Sequence, residues 1–586
     1  FSAPPEAFWG AFKQYQNVKR TTASLQFNHR LGTWLTQRLV IGNDLTGEDN
    51  VNQTQRMAPF YRQFFGNPVD QNGNKLTRRQ ELSVTSVDYA ATAKKQLFGF
   101  QTSTSFGAQY FKRQTYALSA RGEGFPAGGL TLVDAAAATF GGEDYFENAT
   151  LGFYGQHQVN LNDRAYLTAA LRVDNNSAFG EDFSWTTYPK VAGTWVINEE
   201  AWFPFAWVNQ LKLRAAYGET GQQPVVNSAL RTYAATTGGN GSSAVTPQAL
   251  GNPDLRPERG KETEVGFDGT FLQDRLSAEF TAYRRNTEDG ILAQTVAPSA
   301  GFAGERFINI GKIRSQGVEL ALRYAALAKE NVNIDLGFNI SRNDNQVMDL
   351  GNLPLPVDEN GEKYIQFGAQ RHIKGRPVAS WYDFRVVSAT FDPVTKRATN
   401  AQCDNGKGGV TPCLNAAGQP VAPRVFLGRP DPSLEGSYNA TVTLYKRWRL
   451  YAQFDFKGGN TTLNNNDRAR CQVFGQCMAN LEPEKYDPAL VAQVQSPGVL
   501  RNFVYQNASF TRLRELSVAY QLGPRIANLV RARSGSITLS GRNLALWTNY
   551  GGTDPENFFT LQQFVRLEQA QVPPLAQLLL SASLTY

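Results

Sequence analysis

Apolar and polar residues alternate along most of this chain with a period of two. In residues 332–341, Val332, Ile334, Leu336, Phe338 and Ile340 share one face, and Asn333, Asp335, Asn339 and Ser341 share the other. Residues 165–174, 276–282 and 449–456 repeat the pattern, each with one apolar face and one face that carries charge. A period of two is the period of a β-strand. The runs last roughly 10–14 residues, longer than the soluble mode of about 5–6 and enough for the roughly 9–11 that cross a bilayer at a tilt. A fully apolar face opposite a polar one fits lipid outside and water inside. The pattern therefore predicts an all-β fold, a large antiparallel transmembrane β-barrel.

The connections alternate in length. Asn162-Asp163-Arg164, Gln273-Asp274-Arg275, the stretch from Ala328 to Asn331 and Lys446-Arg447-Trp448 are tight turns. Long polar excursions lie between them, at 45–80, 112–149, 222–261, 288–313, 344–432, 460–508 and 549–574. Short periplasmic turns and long external loops mark outer-membrane barrels. About 17 spanning strands are expected: 22–31, 34–44, 81–94, 97–111, 150–162, 165–176, 186–197, 210–221, 262–272, 276–287, 314–327, 332–343, 433–446, 449–459, 509–523, 534–548 and 575–586. If the last strand runs inward to Tyr586, every tight turn is periplasmic and the first visible strand begins in an external loop. More strands are then expected upstream, because an open sheet edge in lipid leaves backbone groups unsatisfied.

Composition changes this picture little. No run of 18 apolar residues exists among the 586, which excludes a helical membrane protein. The 37 Phe, 23 Tyr and 9 Trp are spread along the chain. The net charge of +7 comes without any long basic block, so nucleic acid is not an expected partner. Basic loop residues could meet lipopolysaccharide phosphates. Cys403 and Cys413, and Cys471 and Cys477, form two close pairs in polar stretches, which fits local disulfides in an oxidising compartment. Zinc is the rival reading, but neither stretch has a nearby His or a C-x-x-C. The residues from Phe1 carry no secretory signal, so the chain is expected to be mature, processed or a fragment.

Several stretches resemble the SusC/RagA branch of TonB-dependent outer-membrane receptors. Phe153-Tyr154-Gly155 through Tyr166-Leu167-Thr168-Ala169, with Arg172-Val173-Asp174 and Tyr188-Pro189, resembles the family's mid-barrel hairpin. Asn252-Pro253-Asp254-Leu255-Arg256-Pro257-Glu258, followed by Glu264-Val265-Gly266, resembles its N-P-x-L-x-P-E entry to a strand. Asn309-Ile310-Gly311 with Gly317-Val318-Glu319, the strand from Phe510 to Ser517, and Gly541-Arg542-Asn543-Leu544 with Asp554-Pro555-Glu556 follow in the family's order.

The resemblance implies a barrel of about 22 strands with an N-terminal plug in its lumen. Residues 1–586 would then be its C-terminal portion, lacking the plug and first strands. It implies location in the outer membrane, a SusD-like lipoprotein partner, and a link to the TonB-ExbB-ExbD complex through the missing plug. A terminal aromatic on the last strand, with Leu584 and Tyr586 on its outward face, resembles the signal read by the insertion machinery. The stretch Asp404-Asn405-Gly406-Lys407-Gly408-Gly409 departs from the family, which puts any ion site there in doubt.

No catalytic constellation is visible, and no enzyme or cofactor is expected. His29, His157 and His372 are far apart, and neither H-E-x-x-H nor G-x-S-x-G occurs. Asp358, Asn360 and Glu362 around Gly361 only faintly resemble a calcium loop. The external excursions are rich in aromatics, among them Phe60, Tyr61, Phe64, Phe65, Tyr382, Phe558 and Phe559. Tyr233, Phe302, Phe307, Tyr364, Phe367 and Tyr505 are the candidates to line a ligand cavity, since aromatic faces stack on sugar C–H surfaces. Packing between loops is the competing role for each. The expected function is energised import of a nutrient such as an oligosaccharide or peptide. A passive porin and a secreted β-rich glycan-binding protein or adhesin are the rivals.

Overall fold

The computed structural model describes residues 11–62, 68–178, 185–224, 228–302, 304–351, 355–496, 498–558, 566–569 and 571–586. A 17-stranded sheet forms its wall. In chain order the strands are β1 (Phe12–Leu31), β2 (Leu35–Thr54), β3 (Asn74–Leu97), β4 (Phe100–Glu123), β5 (Ala138–Leu161) and β6 (Ala165–Asn176). Next come β7 (Thr186–Val196), β8 (Val208–Gln222), β9 (Glu258–Phe271), β10 (Leu276–Thr295), β11 (Glu305–Ala328) and β12 (Val332–Asp349). The last are β13 (Leu434–Leu444), β14 (Trp448–Gly458), β15 (Phe510–Gln521), β16 (Ser534–Thr548) and β17 (Gln577–Thr585). Each strand pairs antiparallel with the next in this order. Among the described residues, β1 and β17 pair on one side only.

Register carries the alternation across the sheet. Leu213, Phe267, Phe280, Leu320 and Ile340 are successive cross-strand partners on the lipid face. The rings of Phe267 and Phe280 stack at 5.8 Å. One residue over, Lys212, Asp268 and Glu279 align on the lumen face. A slip of one residue would move each set to the wrong solvent, so the two faces together fix the register.

The periplasmic turns are short because their residues accept a left-handed backbone. Asn162 and Asp163 have φ of 56° and 61°, and the Arg164 N–H donates to the Leu161 carbonyl at 3.1 Å. Two successive positive φ values match the right-handed twist of the flanking strands, and Asn and Asp tolerate them best. The connection between β7 and β8 is longer and aromatic. Trp195, Trp202, Phe203, Phe205, Trp207 and Phe271 form a continuous row with ring centroids 5.5–6.4 Å apart. The Trp195 indole N–H donates to Glu200 at 3.0 Å. Rings facing lipid with their polar atoms turned to water are the girdle expected at a membrane boundary.

The strands differ from expectation at their outer ends. Alternation marks 22–31, but β1 begins at Phe12, and β3 and β4 run 24 residues each. Residues expected as loop at 45–54, 74–80, 112–123 and 138–149 continue the sheet. At about 3.3 Å per residue, 24 residues extend about 80 Å, against a hydrocarbon core of about 30 Å. Above lipid neither face needs to be apolar, so alternation disappears while the ladder continues. Cross-strand ion pairs decorate this extension, including Arg78–Asp144 at 3.3 Å and Lys112–Glu147 at 3.0 Å.

Candidate ligand cavity and its external cap

The lumen wall is lined by paired charges. Lys212 and Arg214 both reach Asp268, at 2.7 and 3.1 Å, and the Arg214 Nη2 donates to Thr281 at 2.6 Å. Lys261 and Lys312 share Glu288 at 2.7 and 3.3 Å. Arg172 holds Asp174 at 2.8 Å and donates to Gln109 at 2.5 Å, and Gln109 donates on to Asp88. Each pair bridges neighbouring or next-but-one positions, and Glu262 and Glu264 add a pair of adjacent carboxylates, so the wall presents a polar, charged surface. Such a surface suits a hydrated or polar cargo.

The excursions after β12, β14 and β16 fold together into a cap. Short strands Tyr364–Phe367, Gln370–Ile373, Ser380–Asp383 and Val425–Gly428 make a four-stranded sheet. Strands Val386–Asp392, Arg397–Asp404 and Val410–Pro412 make a second. Thr461–Asn464, Tyr505–Asn507 and Leu567–Glu568 make a third, which joins the excursions after β14 and β16. An apolar cluster of Ile308, Val347, Leu350, Ile365, Val378 and Ala379 seats the first sheet on the tips of β11 and β12. Cys403 and Cys413 are disulfide-bonded with Cα atoms 4.9 Å apart. They pack with Phe384, Val386 and Leu500 against the helix Pro488–Val494, through its Ala489. Cys471 and Cys477 form a second bridge, also with Cα atoms 4.9 Å apart, beside Ala479 and Val494.

Buried polar groups bind these layers. Trp381 is 1% exposed, and its indole N–H donates to the Thr461 carbonyl at 2.8 Å. Asp383 accepts from the Arg501 Nε and the Tyr505 hydroxyl, each at 2.9 Å, and Arg424 stands 4.0 Å away. Burial raises the Tyr505 hydroxyl pKa, and the Asp383 charge adds to the effect. The buried Arg371 lies over the Tyr364 ring at 4.1 Å and faces Asp358 at 3.9 Å. His372 is fully buried, accepts the Ala379 N–H at 3.1 Å, and is pushed down to about 4 by desolvation. Burial likewise pushes the Tyr382 hydroxyl up to about 12. Glu568 takes donors from the Tyr550 hydroxyl at 2.6 Å, Thr553 N–H at 2.9 Å, Thr553 hydroxyl at 2.6 Å and Asn466 at 2.9 Å. A Cβ on Gly552 would overlap that carboxylate. At the junction with the wall, Arg512 pairs with Asp554 at 2.6 Å and Glu556 at 3.0 Å, while Arg514 bridges Asp455 and Glu556.

The candidate aromatics separate into groups. Tyr233, on the strand Thr232–Thr237, and Phe302 stand 6.0 Å apart at an exposed tip, with the Arg231 guanidinium 5.6 Å from the Phe302 ring. Phe307 lies near the start of β11, where its carbonyl accepts from Asn252 at 2.9 Å. Tyr364 and Tyr505 belong to the cap, stacked against Arg371 and against Trp381 at 5.5 Å respectively. Phe367 ends its short strand opposite Gln370, and its side chain lies outside the described residues. Phe64, Phe65 and Phe559 also lie outside the described residues. Asp358 closes a local turn by accepting the Asn360 and Glu362 N–H groups at 2.8 and 2.9 Å. Of the charges that organise the cap, Arg512 and its partners Asp554 and Glu556 fall in stretches that resemble the family, whereas Arg371, Asp383 and Glu568 have remote partners and no motif marks them.

A wide antiparallel wall with lipid and lumen faces, short periplasmic turns and a folded external cap defines an outer-membrane β-barrel receptor. Residues 2–544 match the family described as TonB dependent receptor-like, beta-barrel, and the chain belongs to that family. It is similar to TonB-dependent receptor P26 of Formosa agariphila, 25% identical over 438 residues that cover 70% of this chain and 43% of the relative. It is also similar to TonB-dependent receptor SusC of Bacteroides thetaiotaomicron, 24% identical over 70% of this chain and 41% of the relative. The fold matches a solved structure of the RagAB peptide transporter with a TM-score of 0.82 at 20% identity, over 98% of this chain and 63% of that one. The chain thus spans less than half the length of these curated relatives. Relatives in this family are receptors and transporters, and their barrels reside in the outer membrane.

Proposed function

We propose that this chain supplies the wall and external cap of an energised outer-membrane importer for an oligosaccharide or peptide. The observation that carries the reading is the polar, ion-paired lumen beneath a cap knit from three excursions. A passive diffusion pore has little use for so much buried structure over its mouth, whereas a receptor that captures cargo before transport does. Similarity to SusC and to the RagAB peptide transporter supports both the cargo class and a SusD-like lipoprotein seated on the external side. The backbone edges of β1 and β17 each need a further partner, which supports additional strands supplied by the rest of the same receptor, whose lumen would hold the plug that the family resemblance implies. Through that plug the TonB-ExbB-ExbD complex would deliver the energy of the inner-membrane proton gradient.

Uptake by cells expressing the whole receptor tests this. Labelled oligosaccharides and peptides should accumulate only while the proton gradient and TonB are intact, and a SusD-like lipoprotein should copurify. Accumulation that survives loss of TonB would instead identify a passive pore.

A further inference from the structure

The lipid face of the wall is not uniform. Toward its periplasmic end, the register aligns Leu276, Tyr324, Leu336, Ala440, Ala452 and Leu516 side by side across β10 to β15. Two alanines among large side chains leave a notch. One level outward, Tyr438 and Phe454 stack at 4.7 Å and close its upper end. The result is an apolar cavity of about 690 Å³ that opens on the membrane side. That volume lies within the range of about 300–1,000 Å³ typical of small-ligand sites.

Depth and charge indicate the occupant. Ala440 and Ala452 lie on the two arms of the β13–β14 hairpin, each four residues from its end at Leu444 or Trp448. Four residues of strand advance about 13 Å, close to one leaflet of a hydrocarbon core about 30 Å thick. Directly below are Lys446 and Arg447, with Arg275 and Lys329 in the two preceding turns and only Asp274 and Glu330 to offset them. Lys446 pairs with Glu330 at 3.2 Å, but the two side chains are 68% and 79% exposed. Such a pair is worth little and is readily exchanged.

We propose that the notch binds one acyl chain of an anionic glycerophospholipid of the periplasmic leaflet, with its phosphate held among these basic turns. Such a lipid finds a slot of matching depth beneath a stacked aromatic roof and above a cationic collar. Lipopolysaccharide is the wrong occupant, because the notch opens toward the opposite leaflet.

Native mass spectrometry of the whole receptor, titrated with phosphatidylglycerol or with phosphatidylcholine of the same chains, tests the site. Wild type should retain one phosphatidylglycerol in preference to phosphatidylcholine. Ala440→Trp should lower that occupancy about fivefold or more, and Lys446→Gln with Arg447→Gln should weaken the preference by about fivefold per cation removed. Heat-dependent gel mobility verifies that each variant is inserted, and Ala452→Leu serves as the milder filling should Ala440→Trp fail to insert. Equal retention of the two lipids by wild type, or undiminished phosphatidylglycerol binding once the notch is filled, would overturn the proposal.

Discussion

The β3–β4 hairpin and the cap over residues 355–433 use much the same polar residues in opposite ways. The outer part of the hairpin stands above lipid with polar side chains on both faces and no apolar cluster of its own among the described residues. Each of its pairings is with a strand adjacent in sequence, from Asn74↔Glu123 down to Leu97↔Phe100. The cap instead buries charge and ties it to distant parts of the chain: Asp383 to Arg501 and Tyr505, and Trp381 to Thr461. The hairpin is held by a repetitive ladder whose individual side chains matter little. The cap is held by a few groups whose loss leaves a buried charge or donor unpaired. The cost of a substitution should therefore follow the kind of burial more closely than the number of contacts.

The largest effect is expected where the cap meets the wall. Arg512→Met leaves Asp554 buried beside no cation and should cost about 3–5 kcal/mol. Hydrogen exchange should then accelerate in 549–558 and 460–468 while β10–β13 stay protected; uniform acceleration would show that cap and wall are one unit. In the wall, Phe280→Arg puts a cation on the lipid face and should cost about 2–4 kcal/mol, read as a smaller heat-modifiable fraction after refolding into bilayers. The equivalent change at an outer position of β3, such as Thr77→Arg, should cost almost nothing.

Acidification should distinguish the regions next. His372 titrates near 6.5 when exposed and near 4 in the folded cap. The unfolded cap takes up the proton first, so cap stability is full above about pH 6.5 and falls as pH drops toward 4. The loss approaches about 3 kcal/mol. Limited proteolysis of 355–433 should become faster over that window, and His372→Asn should flatten the profile. Within the cap the smallest effect is at Glu568. Glu568→Gln keeps an acceptor but loses the charge and should cost about 1–3 kcal/mol, confined to the third cap sheet.

How much of this was legible in the sequence divides along the same line. β6 begins at Ala165 and ends at Asn176, where alternation does, because lipid and water impose opposite demands on its two faces. The outer ten residues of β1 were not legible, since water bathes both faces there and no residue type is excluded from either. The cap was illegible for a different reason. Tyr364 and Tyr505 look like any loop aromatics until Arg371 and Trp381 are brought against them by strands far along the chain. The candidate cavity was visible only as a list of aromatics, while Arg371, Asp383 and Glu568, which shape the cap, carry no local mark.

The order of the strands has a consequence for how the wall assembles. Because each strand pairs with the next, most of the sheet closes short loops and can be added one hairpin at a time from a growing edge. The two longest departures from that rhythm are the joining of β12 to β13 across residues 350–433 and of β14 to β15 across residues 459–509. Closing those loops carries the largest entropic penalty in the wall. Those two closures should therefore be the slowest steps in the assembly of the wall.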